Sequence, residues 1–145
     1  MPRRLSLPVV LPASRLTLAR ARKQLGGPTT SHGDAGAVVH VERGAETALG
    51  VILWSDAAWC DVWLGEDITK RTRRDSVTPA VAPRGSPMAK ASLAARTFAS
   101  LEEGQDVRFG TTKGRLIEKC RWGALVARPD GKIFAVGFQR FVGDA

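Results

Sequence analysis

Residues Leu49–Arg74 read LGVILWSDAAWCDVWLGEDITKRTRR, and the fold class turns on this stretch. Leu49–Trp54 is an apolar run with β-branched residues, Trp59–Leu64 is a second, and Ile68–Arg74 is a basic third, each of ordinary strand length. Gly65-Glu66-Asp67 supplies the turn residues between the last two. Alternation along a strand puts Trp59, Asp61 and Trp63 on one face and Cys60, Val62 and Leu64 on the other. An aspartate belongs on the wetter face, so Trp59 and Trp63 are expected to be partly exposed beside it. Lys70, Arg71, Arg73 and Arg74 return alongside and could lay their charges next to those rings. The competing arrangement buries the tryptophans between two units and pairs Asp61 with Arg71 across the strands.

Outward from this stretch the pattern repeats. Ala37–Val41 is a β-branched run before it. After it, Pro79–Ser92 has the composition of a linker, with three prolines and many small residues. Ser86-Pro87 can start a helix that continues through Phe98 and Leu101. Strands are then expected at Asp106–Phe109, Gly114–Glu118, Trp122–Arg128 and Lys132–Phe138. Pro129-Asp130-Gly131 is the strongest turn signal of the chain, and a three-residue loop there sets Ala127 opposite Ile133, Val126 opposite Phe134 and Leu125 opposite Ala135. Both faces of that hairpin are apolar, so the outer one needs cover from the other unit, a helix or a second chain.

At the other end, Ser14 can cap a helix over Arg15–Leu25 that Gly26-Gly27-Pro28 stops. Leu18, Ala21 and Leu25 share one face of it, while Arg15, Arg22 and Lys23 lie mostly off that face. The expected organisation is therefore a basic N-terminal segment (1–35), a first small β unit (36–78), a linker with a helical end (79–97) and a second β unit (98–145). Residues 1–13, broken by prolines, are expected to be dispensable for folding.

The two β units look alike. Gly50 aligns with Gly114 and Val62 with Val126 at an offset of 64, then Ile68 with Ile133 and Val77 with Val142 at 65. Gly50-Val51-Ile52-Leu53-Trp54, Trp59–Leu64 and Arg74-Asp75-Ser76-Val77-Thr78-Pro79 together resemble a Tudor-type or KOW-like SH3 barrel. The second copy, from Gly114 to Val142, is similar but lacks the closing proline. This resemblance implies a mainly β protein of two small SH3-like barrels with a short N-terminal helix and a Pro/Ala-rich linker. Phe98–Phe109 also resembles a phrase of cold-shock OB barrels. It precedes the glycine-led strand instead of following it, however, and Arg121–Val126 keeps only one aromatic of that family's paired motifs.

The chain has 145 residues and a net charge of +8, enough for one ordinary domain or two very small ones. The charge is uneven, with +6 over residues 1–25, −5 over 26–70, +5 over 71–97 and +2 over 98–145. Two cysteines do not make a disulfide framework, which points to a reducing cytoplasm. No apolar run reaches the length of a membrane span, and a soluble protein is expected. His32, His40, Cys60 and Cys120 show no zinc spacing, and Gly110–Gly114 lacks the context of a phosphate loop. No catalytic motif stands out, so neither an enzyme nor a cofactor is expected. The reading that remains is a nucleic-acid-binding protein, RNA or single strands ahead of duplex DNA. Its candidate contacts are Trp59, Trp63, Lys70, Arg71, Arg73, Arg74, Arg15, Arg22 and Lys23. Arg71, Arg73 and Arg74 repel one another with only Asp61 placed to pair, so an external anion is their expected partner. The alternative is an adaptor whose barrel faces bind a peptide, a larger assembly or a second copy of the chain.

Overall fold

The computed structural model describes residues 9–11, 15–66 and 68–141. Its elements in chain order are β1 (Val9–Leu11), α1 (Arg15–Gln24), β2 (Val38–Arg43), β3 (Glu46–Ser55), β4 (Trp59–Gly65), β5 (Ile68–Arg73), β6 (Thr78–Pro79), α2 (Pro87–Ser100), β7 (Asp106–Phe109), β8 (Thr112–Lys119), β9 (Gly123–Ala127) and β10 (Ile133–Gly137). The protein is mainly β. The strands form two antiparallel five-stranded sheets, ordered β5-β4-β3-β2-β6 and β1-β10-β9-β8-β7.

The two sheets repeat each other from β3 through β5 and from β8 through β10. Ile52 pairs with Val62 where Leu116 pairs with Val126, and the register then slips between Ile52 and Trp54 as it does between Leu116 and Glu118. Across the next hairpins, Trp63 faces Thr69 and Ala127 faces Ile133. The offset of 64 therefore runs on through β5 and β10. The expected step to 65 does not occur, since Thr69 and not Ile68 takes the place that matches Ile133, and Val142 lies outside the described residues. A 3-10 turn follows at the same offset, Arg74–Ser76 and Phe138–Arg140. The chain then returns to the first strand of its unit, with Thr78 and Pro79 beside β2 and Phe141 beside Phe109 of β7. Gly50 and Gly114 show why this repeat carries a glycine. A Cβ at either site would run into the γ-methyl of the facing valine, Val62 or Val126.

The Pro129-Asp130-Gly131 turn gives the register read from the sequence, with Ala127, Val126 and Leu125 opposite Ile133, Phe134 and Ala135. Gly131 takes the positive φ of 87° that this loop needs. The outer face of the β9–β10 hairpin is covered by α1: Ala21 and Leu25 pack with Cys120 and Leu125, and Leu18, Ile133 and Ala135 flank them.

Two expectations need correction. The segment 79–97 is not a tether, because α2 enters the core. Ser86 caps it by accepting the Ala89 amide at 3.2 Å, and Pro87 opens it. Ala91, Ala95 and Phe98, spaced i, i+4, i+7, form a buried stripe that an Ala/Ser/Pro composition disguises. The N-terminal residues are not all tail either, since β1 adds an edge strand to β10 through main-chain pairing. Backbone pairing needs no side-chain pattern, so the prolines hid it. Deleting residues 1–13 uncovers that edge and should lower the melting temperature by a few degrees. An unchanged melt would show that β1 contributes nothing to stability.

One apolar cluster joins both sheets. Val51, Leu53 and Trp63 from the first meet Ala91, Ala95 and Phe98 of α2 and Leu116, Val126, Val136 and Phe138 of the second unit. A smaller cluster, Val39, Val41, Ile52, Cys60 and Val62, fills the inside of the first unit. The loop from Pro28 to Gly36 straps the sheets together. The Thr29 amide donates to the Lys119 carbonyl at 3.0 Å, and the Ser55 amide donates to the His32 carbonyl at 3.2 Å.

Candidate functional site

The β4–β5 hairpin separates the two tryptophans expected to act together. Trp59 is 43% exposed, and the Arg73 guanidinium lies 5.6 Å from its ring centre. Trp63 is buried instead. Its ring meets Phe138 edge-on at 6.1 Å, and its indole N–H donates to the Glu66 carbonyl at 2.9 Å. Both residues are on the predicted face, but the second unit covers the Trp63 end of it. Asp56 orders the approach to Trp59, because its carboxylate accepts the amides of Ala58 at 2.9 Å and Trp59 at 2.8 Å. These two amides hold its pKa below the usual carboxylate range, Trp59 having the larger effect.

Asp61 is not on a wet face. It is fully buried, with its Oδ1 accepting from Arg71 Nε at 2.8 Å and its Oδ2 accepting from Arg71 Nη2 at 3.1 Å and from Trp122 Nε1 at 2.8 Å. Three donors from two units make this burial tolerable. The same bonds raise the pKa of Arg71 further. Arg71 and Arg121 also approach the Trp54 ring, at 5.5 and 4.0 Å from its centre, so Trp54 lies within reach of both guanidinium groups. Trp54, Arg121 and Trp122 were missed as members of this cluster. Trp122 stands 61 positions from Asp61, and only the observed packing brings them together.

The basic run is therefore less open to an external anion than expected. Arg71 is paired with Asp61, Arg74 is paired with Asp34, and Lys70 donates to the Glu42 carbonyl at 2.6 Å. Among the described residues the one carboxylate within 4.0 Å of Arg73 is Asp75, at 3.8 Å with both side chains largely exposed, a pair that contributes little. The charged side chains also suit β5 as a sheet edge that resists pairing with another chain. Arg22 is engaged with Glu118, its Nε donating to both carboxylate oxygens at 2.8 and 2.9 Å. Lys23 is exposed in the last turn of α1, and the Arg15 side chain lies outside the described residues.

Among the described residues no three His, Cys, Asp or Glu side chains gather as a metal site, and no helix is long and apolar enough to cross a membrane. Comparison of the chain with protein-family models, curated proteins and solved structures finds no match.

Proposed function

We propose that the protein is a non-enzymatic nucleic-acid-binding protein that takes unpaired RNA or DNA at the Trp59–Arg73 surface. The observation that carries this reading is the exposed Trp59 indole with a weakly paired guanidinium beside it, on a chain of net charge +8. An indole face stacks on any base, and an arginine beside it neutralises a neighbouring phosphate. The strand order β5-β4-β3-β2-β6, with a 3-10 turn before the return strand, supports the finer reading of the two units as Tudor/KOW-type SH3-like barrels. Two free, buried cysteines fit a reducing, cytoplasmic setting. Burial pushes the Cys120 thiol up to about 12, so it stays protonated.

Trp59→Ala should weaken binding of a short oligo-U or oligo-dT by about 1–3 kcal/mol with little salt dependence. Arg73→Gln should lower the log–log salt slope by about 0.7, the value for one phosphate contact on a single strand. Both variants should melt like the parent, because neither side chain is in the core. Fluorescence anisotropy between 50 and 200 mM salt measures both effects. A parent that binds neither oligomer across that range removes this reading in favour of the adaptor. The adaptor has its own support in Leu93, which is 66% exposed on α2 and available to a protein partner.

A further inference from the structure

The outer face of the second sheet carries a feature that the first sheet lacks. On β7 and β8, Val107, Phe109 and Leu116 turn into the core, which leaves Asp106, Arg108, Lys113 and Arg115 on the opposite face. Arg108 stands directly opposite Lys113, and Asp106 opposite Arg115. These residues, with Arg128 and with Thr97 and Ser100 at the end of α2, line an open cavity of about 950 Å³. That is the upper end of the size range of small-ligand pockets, here with a cationic wall.

The repeat shows that this charge is a property of one copy. The positions matching Arg108, Lys113, Arg115 and Arg128 in the first unit are His40, Leu49, Val51 and Leu64. Val51 joins the core shared with the second unit, Leu49 and Leu64 are partly covered and His40 is exposed, so this face of the first sheet has no lysine or arginine at the four matching positions. In the second unit, α1 packs beside Leu125, Ile133 and Ala135 on the β9–β10 side, and the β7–β8 side carries the cations. Two carboxylates offset part of the charge, Asp106 at 3.6 Å from Arg115 and Asp130 at 3.3 Å from Arg128, on exposed or half-exposed side chains. No ion pair within 4.0 Å involves Arg108 or Lys113 among the described residues. Like charges placed directly across a strand pair destabilise a sheet, and an anion between them reverses that cost. A cation also sits beside the C-terminal end of α2, where it offsets part of the negative end of the helix. The buried Lys119 ammonium donates to Ala99 O at 3.0 Å and Leu101 O at 2.7 Å.

We infer that this groove is a second nucleic-acid contact, in which Arg108, Lys113 and Arg115 hold consecutive phosphates of the strand. This rests on the nucleic-acid reading above and adds a backbone-binding site separate from Trp59. The test uses the full chain, fluorescein-labelled oligo-dT and oligo-U of fifteen nucleotides, and the double variant Arg108→Gln/Lys113→Gln. Each lost phosphate contact lowers the salt slope by about 0.7 on a single strand, so the double variant should lose about 1.4. Its melting temperature should be equal to or above the parent's, since a repulsive pair has been removed. Inorganic tripolyphosphate should compete with the oligomer on the parent and lose that ability on the double variant. A double variant with the parental slope overturns the groove and leaves the Trp59 surface standing. So does equal competition by tripolyphosphate on both proteins. A parent that binds no oligomer overturns both sites together.

Discussion

Asp61→Ala should cost about 1.5–3 kcal/mol of stability, the range for losing hydrogen bonds to a charged group. The substitution takes away the acceptor of three hydrogen bonds at once. Arg71, about half exposed, can swing toward water, but the Trp122 indole N–H cannot leave the boundary between the two units. An unsatisfied buried donor alone accounts for about 1–3 kcal/mol of the loss. Asp61→Asn keeps the shape and an acceptor for Trp122, so it should fall between the parent and the alanine variant. A double-mutant cycle with Arg71→Ala should return a coupling within the roughly 0.5–3 kcal/mol typical of contacting pairs. Urea melts measure all of these. A loss below about 1 kcal/mol in Asp61→Ala would show that the carboxylate does not hold the two units together.

Acid should weaken the fold through His32. Its ring is buried, donates through Nε2 to the Cys120 carbonyl at 3.0 Å, and meets Phe98 edge-on at 5.2 Å. Nδ1 has no partner. Burial is the main cause that lowers its pKa from 6.5 to about 4, and the nearby Lys119 charge acts in the same direction. The unfolded chain thus takes up a proton between pH 6.5 and 4 that the folded chain refuses. Stability is therefore full above pH 6.5 and falls as the pH drops through that window, by about 3 kcal/mol at 1.36 kcal/mol per unit. His32→Gln retains an amide that can donate to Cys120 and removes the titration. Urea midpoints at pH 7.5 and 4.5 should differ less in the variant than in the parent. Equal differences would place the acid sensitivity elsewhere.

The parts of the fold that a short segment determines by itself were legible in the sequence. The Pro129-Asp130-Gly131 turn fixed the β9–β10 register, and the apolar face of Leu18, Ala21 and Leu25 named the side of α1 that packs. Ser86-Pro87 marked the start of α2. What stayed hidden depends on partners far away in the chain. Alternation put Asp61 and Trp63 on the correct common face, but whether that face is wet depends on the second unit. Likewise, the dense run Arg71–Arg74 drew attention as a site, although its neighbours Asp61 and Asp34 already pair with two of its arginines. Arg108, Lys113, Arg115 and Arg128 are scattered along the sequence and form a cationic wall only when strand pairing gathers them.

The placement of α1 has a consequence for synthesis. The residues its apolar face covers, Leu125, Ile133 and Ala135, are among the last described residues to leave a ribosome, and β1 pairs with the same late strand. The first unit, whose strands pair with near neighbours and with β6, can close while translation continues. The helix made before it must wait with Ala21 and Leu25 bare until β9 and β10 emerge. A nascent chain stalled after α2 should therefore carry a folded first unit and a sticky N-terminal helix, the stage at which holding chaperones would find it.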